Sequence, residues 1–179
     1  RNLSINSEGS RDTFESRADI HDFGINGNGF WLQGPGVELV SNISAGSRGN
    51  GFVIYPASKM AMFDAANLDD PSLAGGQTVV PVGSIPLKRF DGNIAYTAPN
   101  GLQLWRHMFG MTDGEGVVDN FFAWNVTGGM DIRYSSHLRI RNATIVGDLE
   151  NYTGVGIGTI TTHDMVFENV RAEGLQVGI

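Results

Sequence analysis

The stretch between positions 106 and 134 holds most of the residues that could do acid–base chemistry. An enzyme that removes a proton beside a uronate carboxylate needs a cation to neutralise that carboxylate, a base for the proton and an acid for the leaving oxygen. Arg106 or Arg133 could be the cation. His107 could be the base and Tyr134 the acid. This pattern indicates a polysaccharide lyase or an epimerase.

A pair of carboxylates in the same stretch offers a second chemistry. Glycoside hydrolases use two Asp or Glu side chains that flank the scissile bond. Asp113 or Glu115 could pair with Asp131 for this purpose. The sequence does not decide among lyase, epimerase and glycoside hydrolase, and surface residues of these types are common without a catalytic role. The candidate catalytic residues are Arg106, His107, Asp131, Arg133 and Tyr134.

Aromatic and amide side chains form a candidate substrate-binding face. In each repeat a glycine is followed by apolar residues at every second position, which is the period of a β-strand. The repeat glycines are Gly29, Gly51, Gly101, Gly129, Gly154 and Gly174. The second and fourth residues after a glycine should point to solvent. Several of these positions hold side chains that suit a sugar chain: Trp31, Gln33, Tyr55, Gln103 and Trp105.

Exposed rings beside amides are typical of carbohydrate binding, because sugar CH groups stack on aromatic faces while hydroxyl groups form hydrogen bonds. The alternative is that a long insertion at residues 56–86 folds over the rings and buries them. Both interpretations stay open at the level of sequence.

A repeated phrase centred on asparagine must position these residues. Apolar residues recur three before the Asn, one after it and three after it, and successive asparagines lie 51, 27, 22 and 27 positions apart. Such periods indicate a repeat architecture. Asn tolerates the left-handed backbone region and can donate its amide to the next repeat. The predicted ladder consists of Asn2, Asn42, Asn93, Asn120, Asn142 and Asn169.

The predicted fold is all-β: a right-handed parallel β-helix of about six coils, forming one solenoid segment over residues 1–179 with a large loop insertion at 56–86. The chain starts and stops inside repeats. We therefore expect a part of a longer protein, with flanking coils or neighbouring subunits as partners.

Composition excludes several classes of function. The net charge of −7 argues against nucleic acid as a partner, and no apolar run is long enough for a membrane span. The absence of cysteine excludes disulfides and thiolate zinc sites. We expect no metal and no cofactor, with calcium left open. The pairs His21-Asp22 and His163-Asp164 are interpreted as turn residues beside their caps.

The asparagine-centred repeats resemble those of right-handed parallel β-helix proteins, the pectate-lyase-like superfamily with PbH1 repeats. Two phrases, Gly29–Val37 and Pro86–Tyr96, are similar to the β-helix of G8-domain, fibrocystin-like surface proteins. This resemblance implies an extracellular or cell-surface location and the handling of a polysaccharide or glycan. It transfers no catalytic residue. The expected function is a domain that binds or processes a carbohydrate polymer, and the alternative is a structural or adhesive rod.

Overall fold

The computed structural model of the chain describes residues 1–9, 26–56, 62–108, 114–148 and 154–179. The predicted carboxylate Asp113 and the pair His21-Asp22 lie outside the described residues. The described chain is mostly β, and its two large sheets contain only parallel strand pairs. This confirms the predicted all-β class.

The larger sheet has nine strands: β1 (Leu3–Ile5), β2 (Phe30–Leu32), β4 (Ile43–Ala45), β5 (Phe52–Ile54), β9 (Ile94–Trp105), β11 (Phe122–Arg133), β13 (Thr144–Gly147), β14 (Val155–Ile160) and β16 (Arg171–Glu173). Strands β9 and β11 are long and cross the whole sheet. Their first parts pair in the order β1-β4-β9-β11-β13-β16, which we call the first half. Their last parts pair in the order β2-β5-β9-β11-β14, which we call the second half.

The smaller sheet has five strands in the order β3 (Glu38–Val40), β8 (Arg89–Asp91), β10 (Gly116–Asp119), β12 (Ser136–Arg141) and β15 (His163–Glu168). Each of its strands immediately precedes a strand of the first half in the chain. Equivalent strands of successive repeats therefore lie side by side in both sheets. This arrangement places residues that are 22 to 51 positions apart in sequence directly beside one another on adjacent strands. A row of such partners across the sheet is called a column.

The insertion contains an antiparallel hairpin of β6 (Met62–Asp64) and β7 (Val79–Pro81), together with three short 3-10 helices at Ala65–Asn67, Pro71–Ala74 and Val82–Ser84. It has a small apolar core of its own around Ala65, Ala74, Val80 and Ile85. Across the described ranges, no helix has the length and apolar character needed to cross a membrane.

The main core lies between the two large sheets. Alternate residues of the strands point inward, as the period of two requires. Leu104 and Ile132 enter from the larger sheet, and Val118 and Ile140 enter from the smaller one. Aromatic rings fill part of the space between the sheets, and Phe52 packs edge-on against Phe90 with ring centroids 5.5 Å apart. Burial of this continuous apolar row is the main stabilising contribution.

A column of glycines separates the two halves of the larger sheet. It comprises Gly29, Gly51, Gly101, Gly129 and Gly156. A Cβ atom on Gly129 would lie 2.3 Å from the carbonyl oxygen of Gly156 and 2.5 Å from the Ile145 side chain. The same clash with the next glycine recurs along the column. Glycine is needed here because neighbouring backbones approach closely.

The repeat near the C-terminus differs from its predicted alignment. Met130 pairs with Ile157 and Asp131 with Gly158, so the glycine of this repeat is Gly156 and not Gly154. Gly154 instead has a φ of +91° in the turn before β14. A glycine that serves a turn and a glycine that serves a close approach look alike in sequence, and the pattern selected the wrong one.

The predicted asparagine ladder is two rows in the structure. The first row joins Asn2, Asn42 and Asn93, of which Asn42 and Asn93 are buried and Asn2 is exposed. The Asn42 amide donates to Asn93 Oδ1 at 3.1 Å, and the Asn93 amide donates to the Leu39 carbonyl at 2.7 Å. The backbone N–H of Asn42 also donates to Asn93 Oδ1 at 3.0 Å. Buried amides that are satisfied in this way stabilise the corner.

The second row is exposed and offset by one residue. Ile94 pairs with Phe122, which places Asn93 opposite Phe121 and not opposite Asn120. Asn120, Asn142 and Asn169 have φ values of 50° to 53°, so they are the left-handed corner residues of their repeats. The Asn169 amide donates to Asn142 Oδ1 at 2.9 Å. The prediction of one ladder is therefore corrected to two rows: an inner row that is buried at Asn42 and Asn93, and an exposed corner row.

Excursions of the chain collect at one corner, between the second half and the next strand of the smaller sheet. The connections there span residues 55–88, 106–115, 33–37, 134–135 and 161–162. The first two are long and the last two contain only two residues each.

Candidate functional site

The outer surface of the first half carries two exposed aromatic rings in direct contact. Tyr96 and Trp124 are opposite one another on β9 and β11. Their ring centroids are 4.6 Å apart with an interplanar angle of 11°, so the rings are stacked in parallel. They remain 38% and 42% exposed. Stacked rings that solvent still reaches form a rigid apolar platform.

The stacked pair has non-aromatic neighbours on both sides along its column. Along the same column, Ala45 lies beside Tyr96 and Val146 lies beside Trp124. The methyl group of Ala45 is much smaller than an aromatic ring, whereas Val146 is only 8% exposed. A third flat ring could therefore continue the stack over Ala45, which has the smallest side chain in this column.

A second apolar column lies beside the first. Phe122 is 39% exposed, and Ile94 and Ile43 continue its column toward β1. We call Tyr96, Phe122 and Trp124 together the aromatic face. Polar groups border it, because Asn125 donates its amide to the Thr97 hydroxyl at 3.2 Å and both residues are exposed. The face thus combines ring surface with hydrogen-bonding groups.

The sequence analysis did not find the aromatic face. The signal was present in the phrases Ile94-Ala95-Tyr96 and Phe122-Ala123-Trp124. The alanines Ala95 and Ala123 are fully buried, and the large apolar side chains on either side point outward. A small residue between two large apolar ones indicates which face is sterically crowded.

The predicted binding face lies on the second half, and one of its aromatic rings is buried. Tyr55 is only 1% exposed, and Val53 beside it is fully buried. Trp105 packs edge-on against Tyr55 at 5.2 Å, and the Arg106 guanidinium lies 5.9 Å from the centre of the Tyr55 ring. The expectation that Tyr55 is an exposed ligand contact is therefore wrong.

Other members of the predicted face vary in exposure. Trp31, Gln103 and Trp105 are half-buried, and Gln33 is exposed. Gln33 lines a cleft of about 450 Å³ between the second half and the insertion, whose walls include Leu32, Phe63 and Val82. This cleft is mainly apolar.

Polar side chains of the second half are joined in one hydrogen-bond chain. The Asn100 amide donates to Asn50, the Asn50 amide donates to Gln103, and the Gln103 amide donates to Asp131 Oδ2 at 3.0 Å. Arg133 donates to the other oxygen, Asp131 Oδ1, at 2.7 Å. Both carboxylate oxygens of Asp131 are therefore engaged within the protein.

The structure brings most of the predicted catalytic residues into one cluster. Arg133 lies 5.3 Å from the centre of the Trp105 ring, and Tyr134 packs edge-on against Trp105 at 6.4 Å. Arg106 covers Tyr55 on the other side. Glu115, in contrast, immediately precedes β10 of the smaller sheet, where Arg139 on β12 donates to it at 2.9 Å. Glu115 is thus separated from Asp131, and the two do not form the predicted pair.

His107 is inside the protein and not in this cluster. It is 1% exposed, its Nε2 accepts a hydrogen bond from the Leu87 backbone N–H at 3.1 Å, and its Nδ1 lies 3.3 Å from the Ser136 carbonyl. Burial lowers the pKa of His107 to about 4, against the opposing effect of the Ser136 carbonyl. The prediction of His107 as a general base is corrected: a buried imidazole with both nitrogens bonded cannot reach a substrate.

Among the described residues, one group of side chains has the spacing of metal ligands: His137, His163 and Asp164. It lies at the start of β12 and β15, on the smaller sheet.

Comparisons of the chain with family models, with curated proteins and with solved structures give no match. The resemblance to pectate-lyase-like and fibrocystin-like proteins therefore stays a prediction. The function has to be argued from the geometry of the molecule itself.

Proposed function

We propose that this chain is a segment of a right-handed parallel β-helix that binds a carbohydrate polymer, outside the cell, on the aromatic face. Support for the coil comes from the pairing pattern. Strands β4, β9, β11, β13 and β16 pair in parallel with the equivalent strand of the next repeat, and β3, β8, β10, β12 and β15 do the same. A short corner joins the two sheets in each repeat, as a wound chain requires.

The exposed stack of Tyr96 and Trp124 is the observation that carries the binding proposal. Sugar rings present CH groups on their faces, and these groups are attracted to aromatic π surfaces. A pyranose ring beside Tyr96, above Ala45, would occupy the next step of an existing stack. The exposed Thr97 and Asn125 lie at the border, where ring hydroxyl groups would meet hydrogen-bonding partners.

Binding without cleavage is proposed because the candidate catalytic groups are already engaged. Asp131 is held by Gln103 and Arg133, and His107 is buried. Apo geometry can tighten when a substrate binds. Even so, an imidazole inside the core cannot become a surface base without local unfolding.

The test is a glycan array of neutral and acidic polysaccharides, followed by affinity measurements with two variants. Trp124→Ala removes half of the stack, and we expect at least a tenfold loss of affinity, or about 1.4 kcal/mol. Tyr134→Ala is the matched control, since Tyr134 is 41% exposed but lies just past the end of the second half, after β11. It should change affinity less than about twofold. Loss of binding in Tyr134→Ala alone would move the site to the second half.

A second candidate function, a structural or adhesive rod, is favoured by one specific feature. Leu3 and Ile5 on β1 continue the two columns of the aromatic face and are each 60% exposed. An apolar strand edge of this kind promotes pairing with another chain. Sedimentation of the protein over a range of concentrations distinguishes the two. Concentration-dependent association, together with no retention of any glycan, would favour the rod.

A further inference from the structure

Two histidines and an aspartate converge where β12 and β15 begin. The Asp164 Oδ2 atom lies 3.8 Å from His137 Nε2 and 3.8 Å from His163 Nε2. One ligand atom from each of the three residues lies within 4.8 Å of the others. These separations are too long for hydrogen bonds. They are close to the spacing of atoms around one ion, since two ligands about 2.1 Å from zinc at a tetrahedral angle are roughly 3.4 Å apart.

The local backbone explains how neighbouring residues reach the same point. Ser136 pairs with His163 and Leu138 with Met165, so His137 and Asp164 occupy the same step of adjacent strands. Both have left-handed φ values, 52° for His137 and 51° for Asp164. In a regular strand, the successive residues His163 and Asp164 would point to opposite faces. The left-handed step at Asp164 interrupts this alternation, and both side chains meet His137.

A buried hydroxyl group selects the tautomer of His137. Ser136 Oγ donates its only proton to the Met108 carbonyl at 2.5 Å. It lies 2.9 Å from His137 Nδ1, so it can only accept there. His137 Nδ1 therefore carries a proton, and in the neutral ring the lone pair is on Nε2, which faces Asp164. Fixing a ligand histidine through its other nitrogen is typical of metal sites.

We infer that His137, His163 and Asp164 bind a divalent transition metal ion of the zinc type. In the neutral ring, the His137 lone pair faces a carboxylate oxygen at 3.8 Å, and a cation between these two acceptors would stabilise the arrangement. Two imidazole nitrogens and one carboxylate oxygen suit Zn²⁺, Co²⁺ or Ni²⁺, whereas Ca²⁺ takes oxygen ligands. This proposal differs from the turn-and-cap interpretation of His163-Asp164 and from the expectation of no metal. Its two nitrogen ligands also make calcium an unsuitable ion for this site.

The proposed site is open to solvent on one side. The His137 side chain is 18% exposed, and the His163 and Asp164 side chains are 47% and 63% exposed. An ion can enter from solvent, and three protein ligands leave at least one position for water. The site is on the smaller sheet and does not rest on the carbohydrate proposal.

Calorimetric titration of the protein with ZnCl₂ tests the inference, with CoCl₂ as a second probe whose visible bands report coordination. We expect one saturable site per chain. We expect His163→Ala to weaken binding by more than about 100-fold, since loss of a supporting residue alone typically costs 10- to 100-fold. Glu173→Gln is the control, because this exposed carboxylate pairs with Arg171 on the larger sheet and should leave affinity unchanged.

Two outcomes would overturn the inference: no saturable heat with either ion, or equal affinity in wild type and His163→Ala. A second measurement does not depend on metal affinity. Nitrogen chemical shifts of His137 in the metal-free protein should show the proton on Nδ1. A proton on Nε2 would remove the lone pair from the site and contradict the proposal.

Discussion

The two halves of the nine-stranded sheet share strands β9 and β11, but the aromatic residues on their outer surfaces differ in exposure. On the first half, Tyr96 and Trp124 stack against each other and remain exposed. On the second half, Tyr55 and Trp105 also contact each other, yet Tyr55 is buried. Aromatic content is therefore similar on the two surfaces. What differs is the material that lies over them.

The insertion accounts for part of this difference. Its Gly83 carbonyl accepts a hydrogen bond from the Met108 backbone N–H at 2.6 Å, and a Cβ on Gly83 would lie 2.9 Å from the Arg106 carbonyl. The insertion thus packs directly on the corner that ends the second half. Strand alternation determines which way a side chain points, whereas long-range packing determines whether solvent reaches it.

The sharpest test of the comparison substitutes one tyrosine from each half. Tyr55→Ala should lower the free energy of unfolding by about 4 kcal/mol, because it leaves a cavity at a buried site. Tyr96→Ala should lower it by less than about 1.5 kcal/mol, the loss of a stacking contact at an exposed site. Urea unfolding followed by circular dichroism measures both. Equal losses would mean that the halves do not differ in burial.

Breaking the border between the halves should have the next largest effect. Gly129→Ala would force a Cβ atom against the Gly156 carbonyl, and we expect a loss of about 3 kcal/mol. Gly158→Ala is the matched control, because the nearest atom to its Cβ would be 3.8 Å away. Thermal unfolding of the two variants compares them. A Gly129→Ala protein as stable as Gly158→Ala would show that the column is not close-packed.

The buried residue His107, just past the second half, should also make the stability of the fold depend on pH. His107 has a folded pKa of about 4, whereas an unfolded histidine has a pKa of about 6.5. Between pH 6.5 and 4, His107 binds a proton in the unfolded chain but stays neutral in the folded chain. Stability from this residue is therefore complete above pH 6.5 and is lost as pH falls toward 4, by up to about 3 kcal/mol.

Urea unfolding between pH 7.5 and 4.5 measures this loss, with His107→Gln as the comparison. The variant should lose less stability over the same range, since glutamine does not titrate. If the variant does not fold, the nuclear magnetic resonance titration of His107 in the wild-type protein gives the same information. An unshifted His107 titration, or an equal slope in the variant, would contradict the buried assignment.

Much of the fold could be predicted from sequence, because its signals are local and repeated. The spacing of the asparagines and the alternation after each glycine led to parallel, stacked strands. Errors arose where one residue type serves two purposes. Asn93 is a buried hydrogen-bonding residue, and Asn120 is a left-handed corner residue one step earlier in its repeat. The two asparagines cannot be distinguished by their apolar neighbours.

The candidate sites were harder to predict, because they depend on contacts between distant parts of the chain. The burial of Tyr55 and His107 arises from tertiary packing that no local pattern reveals. The His137 site requires residues 26 and 27 positions apart, on adjacent strands, and two left-handed backbone steps. The Tyr96–Trp124 stack needed the register of β9 against β11, which the offset in the asparagine pattern obscured.

The corner that absorbs the long excursions has a consequence for how this protein can tolerate change. The chain there accepts two residues in some repeats and thirty-four, residues 55–88, in another, while the flanking strands keep the same partners. New material grafted at residues 134–135 should therefore leave the strand pairing of both large sheets intact. Such a graft would lie beside Arg133 and would cover the surface there, which would convert an open surface of the protein into an enclosed pocket.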